Sequence, residues 1–427
     1  MEKKHILLIT YCFSPELNPR AFKLEMIVNF LTNKGYKVDI FITKYNFITR
    51  PILKNVRYYE ARQTLIDNCF NKKLSRGDSH NINNNYNSCY LSRIRSIFKK
   101  FCVFCYYKIA WPDSSVIRYF FAKKELKKII NNNQYDCILS SALPFTSHFL
   151  GYYAKKQLKI KWIAEYGDPF SFNSQLPKNI FRFLNKYIEK KLIGKMDYIV
   201  VPFEGSKEGF LANFPFLKKD KIKIIPQVVP SLHPDPGKIK WDNFVKSKIN
   251  IVYAGIFYIP LRSPKILLES LVNLRKGNML TYYKIRIHIF GNIDSKEVRE
   301  MFSNEYKQLI DENIIILYGE TQREVCAFAY RKSDYLLNIA NNSKYQLPSK
   351  LIEYLSFKKP IISLENAKSK TPDWPFLIKE NYKVDNLVNL FREISNGSVK
   401  YSFTNYDNII RKYDIKNIGQ QYIKMIL

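Results

Sequence analysis

A chain of 427 residues with 46% hydrophobic content is longer than one core organises, so two domains are expected. Its formal charge of +32, from 69 Lys and Arg against 37 Asp and Glu, calls for an anionic partner such as nucleic acid, an anionic leaflet or a phosphorylated substrate, unless it only follows a compositional bias toward Lys, Asn, Ile and Tyr. No run of about 18 apolar residues occurs, which excludes a membrane-spanning helix, and the N-terminal MEKKHILLITYCF is too short, and lacks the cleavage site, for a signal peptide.

In chain order, short Ile- and Val-rich runs alternate with helical stretches, the pattern of an α/β fold with parallel sheets. HILLIT (5–10) and VDIFIT (38–43) are strands around a helix over 21–33 that is closed by Gly35. Residues 60–125 interrupt this series with an Asn-rich stretch, NINNNYN (81–87), followed by LSRIRSIFKKFCVFCYYKIAW (91–111). There Ile94, Ile97, Phe98, Phe101, Phe104 and Cys105 recur at helical spacing beside five basic residues. Such a basic amphipathic helix suits an anionic membrane surface, and a helix packed on the core shows the same stripe. The series resumes with DCILSS (136–141), KWIAEY (161–166), YIVVPF (198–203) and KIKIIP (221–226). Three prolines and a glycine without periodicity make 230–248 a linker. A second series of strands follows: INIVYAG (249–255), KIRIHIFG (284–291), NIIILYG (313–319), DYLLNIA (334–340) and PIISL (360–364), with helices expected over 263–274, 296–310, 323–331 and 348–357.

The expected organisation is therefore an N-terminal Rossmann-like domain, 1–229, with an insertion at about 60–125, and a C-terminal one, 249–427, whose last helix is a candidate to cross back. Two such domains facing across a cleft would bind ligands at the strand carboxyl ends. Seven cysteines, Cys12, Cys69, Cys89, Cys102, Cys105, Cys137 and Cys326, are odd in number and scattered through apolar runs, as reduced cytosolic thiols are. The close pair Cys102 and Cys105 lacks the further ligands of a zinc site.

The most informative segment is QLPSKLIEYLSFKKPIISL, 346–364. Pro348 suits a helix's first turn, so the amides around Ser349, Lys350 and Leu351 should lack intrahelical partners and bind phosphate. Lys350 adds a point charge for a pyrophosphate, and Glu353, one turn on, can accept two hydrogen bonds from a ribose diol. An ordinary amphipathic helix with a solvated Lys and Glu has the same spacing. For a cleft-facing Glu353, truncation should weaken nucleotide binding and leave the melting temperature nearly unchanged.

This segment resembles the retaining glycosyltransferases of the large family four, of the GT-B fold, in the sub-pattern of capsule and O-antigen transferases: Pro-Ser-Lys, two residues, Glu-Tyr-Leu, a basic residue, Pro-Ile-Ile. The fuller signature has a second glutamate where Tyr345 stands here. The resemblance continues in YAGIFYIPLRSPKILLESL (253–271). Of the family's two basic residues that hold the diphosphate leaving group, Arg262 matches the second, Phe257 occupies the first position, Lys265 can assist, and the strand ends in Gly255. In CFSPELNPRAFKLEMIVNFL (12–31), which resembles the family's loop and helix after the first strand, Asn18 and Pro19 replace the family's glycine pair and Arg20 is a candidate phosphate contact. KWIAEYGDPFSF (161–172) brings Asp168 to a strand end, where a carboxylate can orient or deprotonate an acceptor hydroxyl; Asp before Pro is also a common turn former. His148 is placed beside the cleft in the same way, although a lone His is more often structural.

What the resemblance implies is transfer of a glycosyl group, with retention, from a nucleoside diphosphate sugar to a hydroxyl of a lipid-linked or polysaccharide acceptor, in a surface-polysaccharide or glycolipid pathway at the inner face of the cytoplasmic membrane. Arg262, Lys350 and the helix amides would stabilise the leaving diphosphate. With no Asp-x-Asp pair in the chain, no metal and no other cofactor are expected beyond the nucleotide sugar as co-substrate. Two alternatives remain: a sugar-nucleotide epimerase of the same fold, using Asp168, Glu165 and His148 for proton transfer, and a nucleic-acid-binding protein suggested by charge alone.

Overall fold

The computed structural model describes residues 4–16, 18–43, 50–61, 104–173, 176, 179–230, 243–277, 280–293 and 295–427. The chain divides into two compact units, Met1–Pro226 with Ile418–Leu427, and Gln227–Asn417. Most of the expected insertion (62–103) and the linker residues 231–242 lie outside the described residues, as do Cys69, Cys89 and Cys102. The first unit is re-entered before residue 125, because helix Val116–Asn132 buries Ala122, Leu126, Ile129 and Ile130 in its core.

The first unit is built on a seven-stranded sheet of β1 His5–Thr10, β2 Lys37–Ile42, β3 Val56–Glu60, β4 Cys137–Ala142, β5 Lys161–Tyr166, β6 Tyr198–Val201 and β7 Ile222–Ile224, in the order β3-β2-β1-β4-β5-β6-β7. Its strands pair in parallel. The central strands are apolar without alternation because helices cover both faces of a parallel sheet. Helix Pro19–Asn33 starts where the Asn18 side chain accepts from the Arg20 amide, and the chain turns away at Gly35, φ +86°. Its Lys23 is buried against Glu165 at 2.8 Å, and the Tyr422 hydroxyl donates to the same carboxylate at 3.3 Å. Tyr422 belongs to helix Ile415–Ile426, which approaches so closely that the Phe30 ring occupies the place of a Cβ on Gly419.

The second unit carries β8 Ile249–Ala254, β9 Ile285–Phe290, β10 Ile315–Gly319, β11 Tyr335–Ile339, β12 Ile361–Glu365 and β13 Leu377–Asn381, in the order β10-β9-β8-β11-β12-β13, again parallel. Along β8, Ile251 and Tyr253 pack into one core while Val252 and Ala254 pack into another, so both faces of this sheet are dry. In both units strand order reverses beside the first strand, between β1 and β4 and between β8 and β11. Ligands of doubly wound sheets bind at the carboxyl ends of strands at such a reversal.

Candidate functional site

In the second unit, three glycines stand at the carboxyl ends of adjacent strands: Gly255 at φ +156°, Gly291 at +130° and Gly319 at +66°. The Gly255 amide donates to Phe290 O at 2.9 Å and the Gly291 amide to Gly319 O at 2.8 Å. The Gly255 carbonyl fills the space a Cβ on Gly291 would need, so only glycine lets the backbones close up there. Beyond Gly255 the chain forms a tight hairpin in which Tyr258 and Arg262 exchange backbone hydrogen bonds at 3.0 and 2.5 Å. Phe257 is buried and stacked on Tyr253, centroids 4.7 Å apart, so the position of the family's first basic residue is filled by core packing. Lys265 begins the next helix, exposed, and lies 3.8 Å from Glu269 one turn along that helix.

Arg262 is held at the strand-order reversal. Its Nη2 and Nε both donate to Asn341 Oδ1, at 2.8 and 3.2 Å. Asn341 follows β11 and is buried. It is tied in turn to the loop that leads to Ser349, donating from Nδ2 to Gln346 O at 3.3 Å, and its carbonyl accepts from Ser369 Oγ at 2.9 Å. One asparagine thus joins the loops after β8, β11 and β12.

The helix expected over 348–357 is shorter, Ser349–Tyr354, continued by a 3₁₀ turn Leu355–Phe357. Pro348 stands before it as the cap, with extended backbone, and not inside its first turn. The Leu351 amide donates to Pro348 O at 3.1 Å and the Leu351 side chain is fully buried. That amide is therefore not available to phosphate, which reduces the candidate donors to Ser349 and Lys350. Tyr354 roots the helix in the sheet, its hydroxyl accepting from the Ala254 amide at 3.0 Å and donating to Leu337 O at 3.2 Å. Glu353, with 12% of its side chain exposed, receives Lys350 Nζ at 2.7 Å and lies 3.5 Å from Arg323 Nη2. The solvated Lys and Glu of an ordinary helix are replaced by a half-buried ion triplet.

In the first unit, Arg20 follows β1 and its Nη1 donates to Leu143 O, which follows β4. The guanidinium lies against Gly167, where an added Cβ would stand 2.9 Å from Nη2. Asp168, the next residue, is half-buried beyond the end of β5. Each unit thus fastens an arginine that follows its first strand to the loop after the neighbouring strand. His148 is fully buried, with Nδ1 2.9 Å from Ser140 Oγ. Burial, helped by the Arg20 charge, pushes its imidazole down to about 3. The structural reading of His148 therefore holds. Burial works upward on the Glu165 carboxyl, but the Lys23 ammonium outweighs it and holds the group below its ordinary range. Sequence reasoning missed Asn341, Arg323 and Tyr354, whose partners are distant in the chain and leave no periodic signal. Among the described residues no group of three or more His, Cys, Asp or Glu side chains could hold a metal ion.

No protein-family model and no curated protein matches the sequence. Among solved structures, the chain is similar over 99% of both chains to a lipopolysaccharide outer core galactosyltransferase, WaaB, with 15% identity and a TM-score of 0.61. It is similar to the same extent to Anabaena HepE in complex with UDP-glucose, at 12% identity and a TM-score of 0.62. A UDP-GlcNAc 2-epimerase from Methanocaldococcus jannaschii, also 12% identical over 99% of both chains, superposes less well, with a TM-score of 0.53. At these identities the likeness is one of fold: the chain has the GT-B fold, two Rossmann-like units each built on its own parallel sheet.

Proposed function

We propose that this protein is a glycosyltransferase that moves a sugar, with retention and without a metal, from a nucleoside diphosphate sugar to a hydroxyl of a surface-polysaccharide or glycolipid precursor. The observation that carries the reading is the clustering in the second unit of Gly255, Arg262 on Asn341, and the Lys350–Glu353 pair, all on segments just after the carboxyl ends of β8 and β11. In the reaction the bond from the anomeric carbon to the diphosphate oxygen breaks and a bond to the acceptor oxygen forms. Charge then accumulates on the diphosphate, where the Arg262 guanidinium and Lys350 ammonium lower the barrier. Glu353 would hold the ribose, Arg20 would contact phosphate, and Asp168 would take the acceptor proton.

The WaaB likeness supports a lipopolysaccharide-type acceptor, and the HepE complexes with UDP and with UDP-glucose support a nucleotide-sugar donor. The epimerase reading loses two of its three candidate acid–base groups, since His148 and Glu165 are buried in a core and bonded there. No helix among the described residues is long and apolar enough to cross a membrane, and we place the reaction on lipid-linked acceptors at the inner face of the cytoplasmic membrane.

A melting-temperature screen across nucleoside diphosphate sugars tests the donor. A ligand at about 100 times its Kd stabilises the folded state by about 2.7 kcal/mol. The reading is abandoned if no nucleotide sugar and no nucleoside diphosphate raises the melting temperature. Donor turnover without any acceptor would favour the epimerase, and activity lost to a chelator and restored by magnesium or manganese would overturn metal independence.

A further inference from the structure

Apart from the candidate site, the most unusual feature of the first unit is an apolar hollow of about 510 Å³ lined by residues that include Tyr106, Ile109, Trp111, Ile117, Phe181 and Leu184. It is built where the helical residues 104–109 meet the chain at 179–184. The Ile180 amide donates to Lys108 O at 3.1 Å and Asn179 Nδ2 to Ala110 O at 2.7 Å. Large apolar side chains stand out in the segments that form it: Phe183 is 75% exposed, and Phe104, Ile109 and Ile180 are each more than half exposed. Phe120, 69% exposed, and Phe121 continue the helix face that begins at Ile117, at three- and four-residue spacing. A side chain of this kind left in water forgoes about 1.5–3 kcal/mol of transfer free energy, so such a concentration calls for a partner.

Charge selects that partner. Segments 104–124 and 179–191 hold eight Lys and Arg against two carboxylates. Neither carboxylate is available: Asp113 accepts from the Thr146 amide and hydroxyl and the Ser115 amide, each at 2.8 Å, and Glu189 is fully buried. Lys124, Lys186, Lys190 and Lys191 are exposed, with Lys191 over the Tyr187 ring at 4.3 Å. Bulky apolar groups beside lysines with no exposed acid among them match the two layers of an anionic bilayer, acyl chains below and phosphates at the rim.

We infer that the surface made by residues 104–121 and 180–191 docks the protein on an anionic lipid bilayer, with Phe104, Ile109, Ile180 and Phe183 entering the acyl layer and Lys186, Lys190 and Lys191 meeting the headgroups. The inference deepens the acceptor reading above, since it supplies the surface on which a lipid-linked acceptor is met, but the binding itself needs neither donor nor acceptor.

The test is sedimentation of the full chain, without nucleotide sugar, with phosphatidylcholine vesicles containing or lacking phosphatidylglycerol. The wild type should bind the phosphatidylglycerol vesicles, with affinity falling as salt rises. A variant carrying Ile109→Ser, Ile180→Ser and Phe183→Ser should lose at least about tenfold in that affinity. Its melting temperature and its turnover of a water-soluble acceptor should be unchanged, because these side chains are exposed. A second variant, Lys186→Glu with Lys190→Glu and Lys191→Glu, should lose the preference for phosphatidylglycerol. Wild-type protein that binds neither vesicle, a serine variant that binds as well as wild type, or a wild-type dimer that the serine variant dissolves would each overturn the inference. Vesicle binding lost together with retained soluble-acceptor turnover keeps the transferase reading separate from this one.

Discussion

Truncating Glu353 to alanine separates two roles of one carboxylate. In the free protein it holds Lys350 at 2.7 Å and Arg323 at 3.5 Å, with side-chain exposures of 12%, 31% and 23% for the three residues. Exposed pairs contribute about 0–1 kcal/mol and breaking a buried pair costs about 3–5 kcal/mol, so a half-buried triplet should lose about 1–2 kcal/mol. For a unit of this size that is a fall of roughly 2–8 °C in melting temperature, which replaces the indifference expected from sequence. If the carboxylate also binds the ribose, its charge-assisted hydrogen bonds contribute about 1.5–3 kcal/mol, and nucleoside diphosphate affinity should fall roughly tenfold to hundredfold. Inorganic pyrophosphate should behave oppositely, binding as well as before or better, because Lys350 is no longer neutralised. Calorimetric titration well below the melting temperature reads both ligands on folded protein. Unchanged nucleotide affinity would remove Glu353 from the site, and a parallel loss for pyrophosphate would show that the variant has only loosened the helix.

Asn341→Ala takes from Arg262 the acceptor of two hydrogen bonds, so kcat should fall about tenfold with donor KM moving less, while Asn341→Asp, which keeps the oxygen, should recover most of the loss; an unchanged kcat in the alanine variant refutes the positioning role. Asp168→Asn should lower turnover by about 10²–10⁴-fold with donor affinity intact, and full turnover would return Asp168 to turn formation. Gly291→Ala forces a Cβ onto the Gly255 carbonyl at a positive φ and should cost about 2–3 kcal/mol in urea unfolding, with a loss below about 0.5 kcal/mol refuting the close approach. His288 is buried between Asn250 Oδ1 and the Tyr318 hydroxyl, and burial pushes its imidazole down to about 3. Between pH 6.5 and about 3 the unfolded chain binds the proton that the folded chain refuses, so stability falls with falling pH by about 1.4 kcal/mol per unit from this residue. The Glu189 carboxyl, pushed up to about 7 by burial, works against that trend between its ordinary range and 7. His288→Gln should therefore show a shallower acid loss than wild type, and identical pH slopes would refute the assignment.

Strands buried on both faces were legible because a run such as Leu7–Leu8–Ile9 or Ile251–Val252–Tyr253 has few other places to go. The strands missed, β3 (VRYYE) and β13 (LIKEN), are edges of their sheets and only partly buried, so they lack that signature. The helix expected over 296–310 is broken into Lys296–Glu300, a π-helical turn Met301–Glu305 and Lys307–Asp311, which an apolar period does not reveal. At the candidate site the charged residues Arg262, Lys350 and Glu353 were visible as a motif, yet what fixes them was not. Asn341 is 79 residues from Arg262, and Tyr354 reaches back 100 residues to Ala254. Such pairings are set by topology and carry no mark in the local sequence.

The closing helix has a consequence for the order of biosynthesis. Residues Ile418–Leu427 belong to the first unit, where Tyr422, Met425 and Ile426 are buried. They follow all of Gln227–Asn417, so a nascent first unit waits roughly 10–40 s, at about 5–20 residues per second, for its last piece. During that interval the Glu165 carboxylate has Lys23 but not Tyr422, and the Phe30 ring lacks the Gly419 backbone that packs on it. The first unit, begun before Gln227–Asn417, is thus completed only after it.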